Sequence, residues 1–334
     1  MNNSKNYFLI KNQKFYSYGK TLIIAEIGSN YNNKFSNLVK LIKIAKNAGC
    51  DAVKFQLFKA KNLVQERSRG FKILKKIELP DSWIPKIKKI CKDENILFAC
   101  SPFDNNAIQL LKKNKCDILK IASPEIKNHF LIKKALETKL PIIISTGDSD
   151  EKIINRALIL VKRSKISNKK IAFLHCTSEY PAQNKNLNLN MIKYLKKKLH
   201  NIPIGFSDHA LGVDSSLNAV AMGASIIEKH ITISRKLKGP DHFFALEPRE
   251  LIEMVKKIRN LEVSFGKYKK ERISSENTIY ICAFAKKDIL KKSIIKIEDL
   301  VFKRTKKKGV EIHSLKRILN KRAKKSFHRD DMIN

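Results

Sequence analysis

Two lysines stand inside short apolar runs, Lys54 in AVKFQL and Lys120 in ILKI. Six further apolar runs end, as these do, in side chains able to do chemistry. In chain order the groups are Glu26; Lys54 with Gln56; Ser101; Lys120 with Ser123 and Glu125; and Ser145 with Thr146. Next come His175 with Thr177 and Tyr180; Ser207, Asp208 and His209; and Glu228 with His230, followed by Asp241 and His242. Ammonium and hydroxyl groups hold phosphate or carboxylate oxygens through charge-assisted hydrogen bonds. His209 and His230, from neighbouring runs, have the chemistry to share a divalent ion with positions open for water and substrate. They fit hydrogen bonding at a rim as well. A single strand Lys or Glu also suits a structural ion pair, and a single strand-end Ser suits a cap or turn. Two strand lysines together with these carboxylates and histidines are harder to assign to structure, because ionised groups are costly to bury unless paired or used. Such a set suits the condensation of a phosphorylated acid with a carbonyl compound.

Eight elements must carry these groups to one place. The apolar runs lie at 22–27, 52–57, 96–100, 118–122, 142–145, 171–176, 202–206 and 224–228. Their β-branched and aromatic content and short length predict buried parallel strands. Amphipathic stretches lie between them: Leu38, Leu41, Ile42 and Ala45 mark a helix over 37–47 closed by Gly49, and similar patterns begin at Ile108 and Ile153 and span 213–222 and 251–261. Eight rounds of strand and helix predict a (β/α)8 TIM barrel, whose active site lies at the C-terminal mouth of the strands. Lys54 and Gln56, two apart, share the inward face of their strand. A doubly wound nucleotide fold fits less well, since neither GxGxxG nor GxxxxGK[ST] occurs. The barrel is expected over 1–265, a polar linker over 266–277, and a small β-rich domain over 278–334. Strand-prone runs at 278–284 and 293–297 and a helical pattern over 312–319 furnish that domain.

The chain has 334 residues, 43% hydrophobic, with a formal charge of +38. That length buries a core without disulfides, and the six cysteines form no CxxC pair, which fits reduced thiols rather than a zinc site. No run approaches the roughly 18 apolar residues of a membrane span. The N-terminal segment holds only Phe8-Leu9-Ile10 as an apolar cluster, too short for a secretion signal. A cytoplasmic protein with no membrane partner is the expectation. The basic residues are mostly lysines spread along the whole chain, so a solvated surface, not a nucleic-acid site, is the reading of the charge.

At the strand ends the sequence resembles the sialic acid synthase family, which condenses phosphoenolpyruvate with an N-acetylated amino sugar to a nine-carbon 2-keto acid. The segments that carry the resemblance are IIAEIGSN at 23–30, DAVKFQ at 51–56, CSPFD at 100–104, LKIASPE at 119–125 and PIIISTG at 141–147. LHCTSEYPA at 174–182, GFSDHALG at 205–212 and ASIIEKHIT at 224–232, with GPDH and LEP following, complete the barrel in order. KKDILKKSII at 286–295 and DLVFKRT at 299–305 look like the antifreeze-like (SAF) domain that ends these enzymes.

The resemblance implies roles. His209 and His230 match the family's metal ligands, usually for manganese. Lys54, Ser101, Lys120, Ser123 and Ser145 match its grip on phosphoenolpyruvate. Glu26, Gln56, Glu125, Tyr180 and Asp241 match residues around the sugar and the reacting carbons, with Glu125 or Glu26 guiding water. Arg304 matches an arginine sent into the partner's barrel, which implies a domain-swapped homodimer. N-acetylneuraminate is the expected product, with N,N'-diacetyllegionaminate or pseudaminate as alternatives. The sequence departs from the family's pattern at Tyr31, where His is usual, at Thr305, where Pro is usual, at Asn320, where Gly is usual, and over 327–332, which lacks a Gly-Glu turn.

Overall fold

The eight apolar runs become eight parallel strands because each is buried on both faces. In the computed structural model, which describes residues 6–266, 269–271 and 278–334, a hairpin comes first, of β1 (Tyr7–Ile10) and β2 (Gln13–Tyr16). The barrel strands are β3 (Leu22–Gly28), β4 (Ala52–Leu57), β5 (Leu97–Pro102), β6 (Ile118–Ile121), β7 (Ile142–Ser145), β8 (Ile171–Cys176), β9 (Ile204–Asp208) and β10 (Ile226–His230). They pair in sequence order, and β10 returns to β3 to close the barrel. This is the (β/α)8 architecture that the alternation of runs predicts.

Alternation along each strand sorts side chains into two layers. Ile23, Ala25, Val53, Phe55, Phe98, Leu119 and Phe173 join the helices in the outer core. Leu22, Ile24, Ala52, Leu97, Ala99, Ile118, Ile143, Leu174 and Ile226 fill the barrel's interior at the N-terminal ends of the strands. Phe8, Ile10 and Phe15 of the hairpin belong to the same interior cluster, each fully buried. The hairpin therefore plugs the barrel floor, each large side chain contributing about 1.5–3 kcal/mol by burial. The alternation did not foretell this plug.

The helices show the expected stripes. Phe35–Asn47 buries Leu38, Leu41, Ile42 and Ala45, and Gly49 follows with φ of 86°, the left-handed turn that glycine accommodates most readily. Asp104 and Asp150 cap the helices Asn105–Lys113 and Glu151–Arg163 by accepting from the backbone N–H of Ala107 and Ile153. The helix Pro248–Ser264 opens on a capping box of Glu247 and Glu250.

The chain divides into two compact units, 1–266 and 267–334. The predicted linker, 266–277, lies largely outside the described residues. In the second unit β11 (Tyr280–Ala285) and β12 (Leu300–Thr305) pair antiparallel around a small core that includes Ala283, Ile289, Leu300 and Phe327. The strand expected over 293–297 is not formed; only Ile294 makes an isolated bridge, and the second strand is β12. The helical pattern of 312–319 is a 3-10 turn over Ile312–Arg317, since its apolar residues pack on a core too small for a full amphipathic face. Asn320 takes φ of 59°, a left-handed conformation that asparagine tolerates better than other non-glycine residues.

Candidate active site

Toward the C-terminal ends of the strands the interior changes from apolar to charged. Lys54 Nζ lies 2.9 Å from Glu26 Oε2 and 3.8 Å from Glu228 Oε1. Lys120 Nζ is 3.3 Å from the same Glu228 oxygen. Ser207 Oγ donates to that oxygen at 3.0 Å, Gln56 Nε2 donates to Glu26 Oε1 at 2.8 Å, and Lys54 donates to Ser101 Oγ at 3.4 Å. All four charged side chains are at least 95% buried. Burial opposes the charge on each, and the neighbours decide the outcome. Burial would lower Lys54, but Glu228 and Glu26 outweigh it and its ammonium is held above the ordinary range. Burial dominates at Lys120, which is lowered, and at Glu26, which is raised. Glu228 is lowered because Lys120 and Lys54 together overcome its burial.

Above this cluster stand the two histidines. The His209 and His230 ring centroids are 5.6 Å apart at 62°. His209 Nδ1 lies 2.8 Å from the Thr177 carbonyl oxygen; a carbonyl only accepts, so Nδ1 carries a proton. His230 Nδ1 is buried without a hydrogen bond, with Asp241 Oδ2 at 3.7 Å. Burial, then the charges of His209 and Lys54, hold His230 well below its ordinary value and so neutral. His209 is raised, since Cys176 and the Thr177 carbonyl outweigh its burial. Asp241, partly buried and near Glu26, is pushed up to about 6.

Two imidazoles this close, with His230 Nδ1 free of any hydrogen bond, suit a divalent ion. Nitrogen–metal distances near ~2.1 Å put the centroids of two rings on one ion roughly 4.5–6 Å apart, and the observed separation falls in that range. Among the described residues no group of three His, Cys, Asp or Glu side chains gathers to hold a metal.

The remaining expected residues are placed as follows. Glu26 Oε2 is met by Lys54, but Ser145 Oγ and Glu228 Oε2 are buried without a hydrogen-bond partner. Buried polar atoms are normally satisfied, so these await one. Ser123 Oγ accepts from Gly147 N–H at 3.2 Å. A Cβ on Gly147 would stand 2.4 Å from Ser178 Oγ and 2.7 Å from Ser123 Oγ, so the glycine lets these hydroxyls converge. Tyr180 stacks on His209 at 4.1 Å. Glu125 sits half-buried on a 3-10 turn and accepts from Asn128, outside the lysine–carboxylate network. Arg304 is exposed on β12 of the second unit.

Two side chains counted at the rim face away from it. His175 points into the outer layer, where Nε2 meets the Leu187 carbonyl at 2.7 Å and the ring stacks on Phe206. Asp208 is buried against Lys229 at 2.9 Å and accepts from Ser215 and Ser216. Both follow from alternation, since inward Leu174, Cys176 and Ser207 flank them. Glu228 carried no assigned role in the sequence, yet it joins both lysines. Alternation along β10 turns it inward, but a strand's own residues do not say what it meets. Tyr31 is buried, packs edge-on against Trp83 and donates to the Ile77 carbonyl at 3.3 Å.

The sequence pattern of the NeuB family matches residues 41–270. The chain is 36% identical over 332 residues to N,N'-diacetyllegionaminic acid synthase of Campylobacter jejuni, covering 94% of this chain and 99% of that one. It is 29% identical to the human N-acetylneuraminate-9-phosphate synthase, over 93% of this chain and 90% of that one. The crystal structure of an N-acetylneuraminic acid synthetase from Leptospira borgpetersenii serovar Hardjo-bovis, in complex with citrate, superposes with a TM-score of 0.76 at 33% identity, covering 80% of this chain and 93% of that one.

Proposed function

The chain belongs to the NeuB family, and on that premise we propose that it condenses phosphoenolpyruvate with an N-acetylated amino sugar to a nonulosonic acid and phosphate. The observation that carries this reading is the buried cluster of Lys54, Lys120, Glu26 and Glu228 beneath the paired imidazoles. Two ammonium groups held against carboxylates are already desolvated and oriented, so an arriving anion meets a preorganised site. Lys54, Lys120 and Ser101 bind the phosphate and carboxylate, joined by Ser123 and the unpartnered Ser145 hydroxyl. Gln56, Glu26 and Asp241 face the sugar. Buried Gly28 lies against Asp241, Glu26 and Gln56: a Cβ there would be 3.1 Å from Asp241 Oδ2.

His209 and His230 would hold a divalent metal, manganese in this reading, which supplies electrophilic polarisation of the sugar's aldehyde. Carbon 3 of the enol forms the new bond to the aldehyde carbon, whose oxygen takes a proton. Glu26, raised by burial, is the carboxyl placed to hold that proton. Water adds at carbon 2, and the C–O bond to phosphate breaks with phosphate leaving. The rim position of Glu125 favours Glu26 over Glu125 for guiding this water. Holding both substrates in one small site supplies a large share of the acceleration.

The acceptor has two readings. N-acetylmannosamine gives N-acetylneuraminate, as the sequence first suggests. The higher identity to a legionaminic acid synthase, 36% against 29%, favours a 6-deoxy diacetamido sugar. Purified protein with phosphoenolpyruvate, manganese and each sugar, followed by phosphate release and mass of the product, decides. A nine-carbon keto acid from one of them is expected; release of phosphate with none of them would overturn the reaction.

A further inference from the structure

Beyond β10 the chain turns back over the histidines, and the turn is tightly held. His242 is fully buried, with Nδ1 2.7 Å from Thr232 Oγ1 and Nε2 3.0 Å from Asn32 Oδ1. Two residues later in the chain than the aromatic pair Phe243-Phe244, Leu246 N–H donates to the His230 carbonyl at 2.8 Å, and Thr232 N–H donates to the Leu246 carbonyl. Phe244 lies between these anchors, 2% exposed. Its ring centroid is 4.9 Å from that of His230 at 60°, 6.4 Å from that of His209 at 80° and 5.5 Å from that of Tyr180.

We infer that Phe244 is a positioning residue that sets the separation of the His209 and His230 rings, and with it the affinity for a divalent metal. The inference rests on reading the two histidines as ligands. The physical reason is that His230 has no hydrogen bond at Nδ1 to fix its ring. Ring-orienting partners of ligand histidines usually donate or accept a hydrogen bond; here the constraint on His230 is an aromatic edge, which acts by exclusion. Tyr180 also touches both rings but is half exposed, so it is less able to hold them. The backbone that carries Phe244 is held on either side by the His242 and Leu246 anchors.

The test uses the full chain, freed of metal, in wild-type form and as Phe244→Ala, Phe244→Leu and Phe243→Ala. Manganese(II) is titrated in, and the free ion is measured by electron paramagnetic resonance. Phe244→Ala is expected to weaken binding about tenfold or more, the range for loss of a ligand-orienting partner, and Phe244→Leu by less. Phe243 is half exposed and packs on Phe244, so Phe243→Ala should bind as wild type. Phosphoenolpyruvate affinity without metal should be unchanged in all three. If Phe244→Ala fails to fold, Phe244→Leu carries the test through its weaker binding. Wild-type affinity in the Phe244 variants, or equal loss in Phe243→Ala, would overturn the inference while leaving the metal reading intact. No manganese binding by wild type would instead remove the metal reading itself, and this inference with it.

Discussion

Glu228 is the residue on which the charged layer turns. One of its oxygens meets Lys120, Lys54 and Ser207, and the other has no hydrogen bond. Deleting one member of a buried ion pair leaves an uncompensated charge in a poorly solvated place, which costs about 3–5 kcal/mol. Lys120→Met should therefore lower stability by about 3 kcal/mol or more. Adding Glu228→Gln should restore much of that loss, because the orphaned charge goes too. Activity should stay lost in both, since the anion grip is gone. Urea unfolding and phosphate release on the two singles and the double make the cycle; stabilities that simply add would show that the two side chains do not interact. Period-two alternation along its strand puts Glu228 inside the barrel, as it does Lys54 and Gln56, but the partner of a buried charge lies outside that arithmetic. Lys120 and Glu228 are 108 positions apart.

Among the elements, the hairpin of β1 and β2 has the clearest separation of stability from chemistry. It closes the end of the barrel opposite the charged layer, with Phe8, Ile10 and Phe15 fully buried. Phe15→Ala should cost about 3–5 kcal/mol, the usual loss for a buried phenylalanine, read as a lower urea midpoint with the KM for phosphoenolpyruvate unchanged. An unaltered midpoint would mean that the hairpin does not plug the floor. The hairpin is hidden in the sequence because Gln13–Tyr16 buries only Phe15 while its other residues are exposed. The barrel strands, buried on both faces, announce themselves as continuous apolar runs. Strand ends are the least legible part. The rim set included His175 and Asp208, yet both face the outer layer, since polar residues at a strand end are equally able to cap, brace or bind.

At the scale of the whole molecule, the expected homodimer carries its own test. If the second unit of one chain completes the barrel of its partner through Arg304, Arg304→Ala and Lys120→Ala proteins should each be inactive. Mixed through a denature–refold cycle, they should regain roughly a quarter of wild-type activity, because half the dimers then hold one intact site. No recovery, with mixed dimers shown to form, would rule the exchange out. The net charge of +38 attracts anions generally, whereas within the barrel Lys54 and Lys120 are balanced by Glu26 and Glu228. No helix among the described residues is long and apolar enough to cross a membrane.

By itself the sequence determined the eight strands, their order, and the inward face that Lys54 shares with Gln56, because burial on two faces and alternation of period two are local properties of a chain. It also held the motifs that mark the family. Only the closed barrel decided that Glu228 joins Lys54 to Lys120, that His209 and His230 come within 5.6 Å, and that Phe244 wedges against both. Those contacts depend on how far each strand is staggered around the ring and how the loops fold back over it. That stagger is fixed by packing among all eight strands at once, so no single stretch of residues records it.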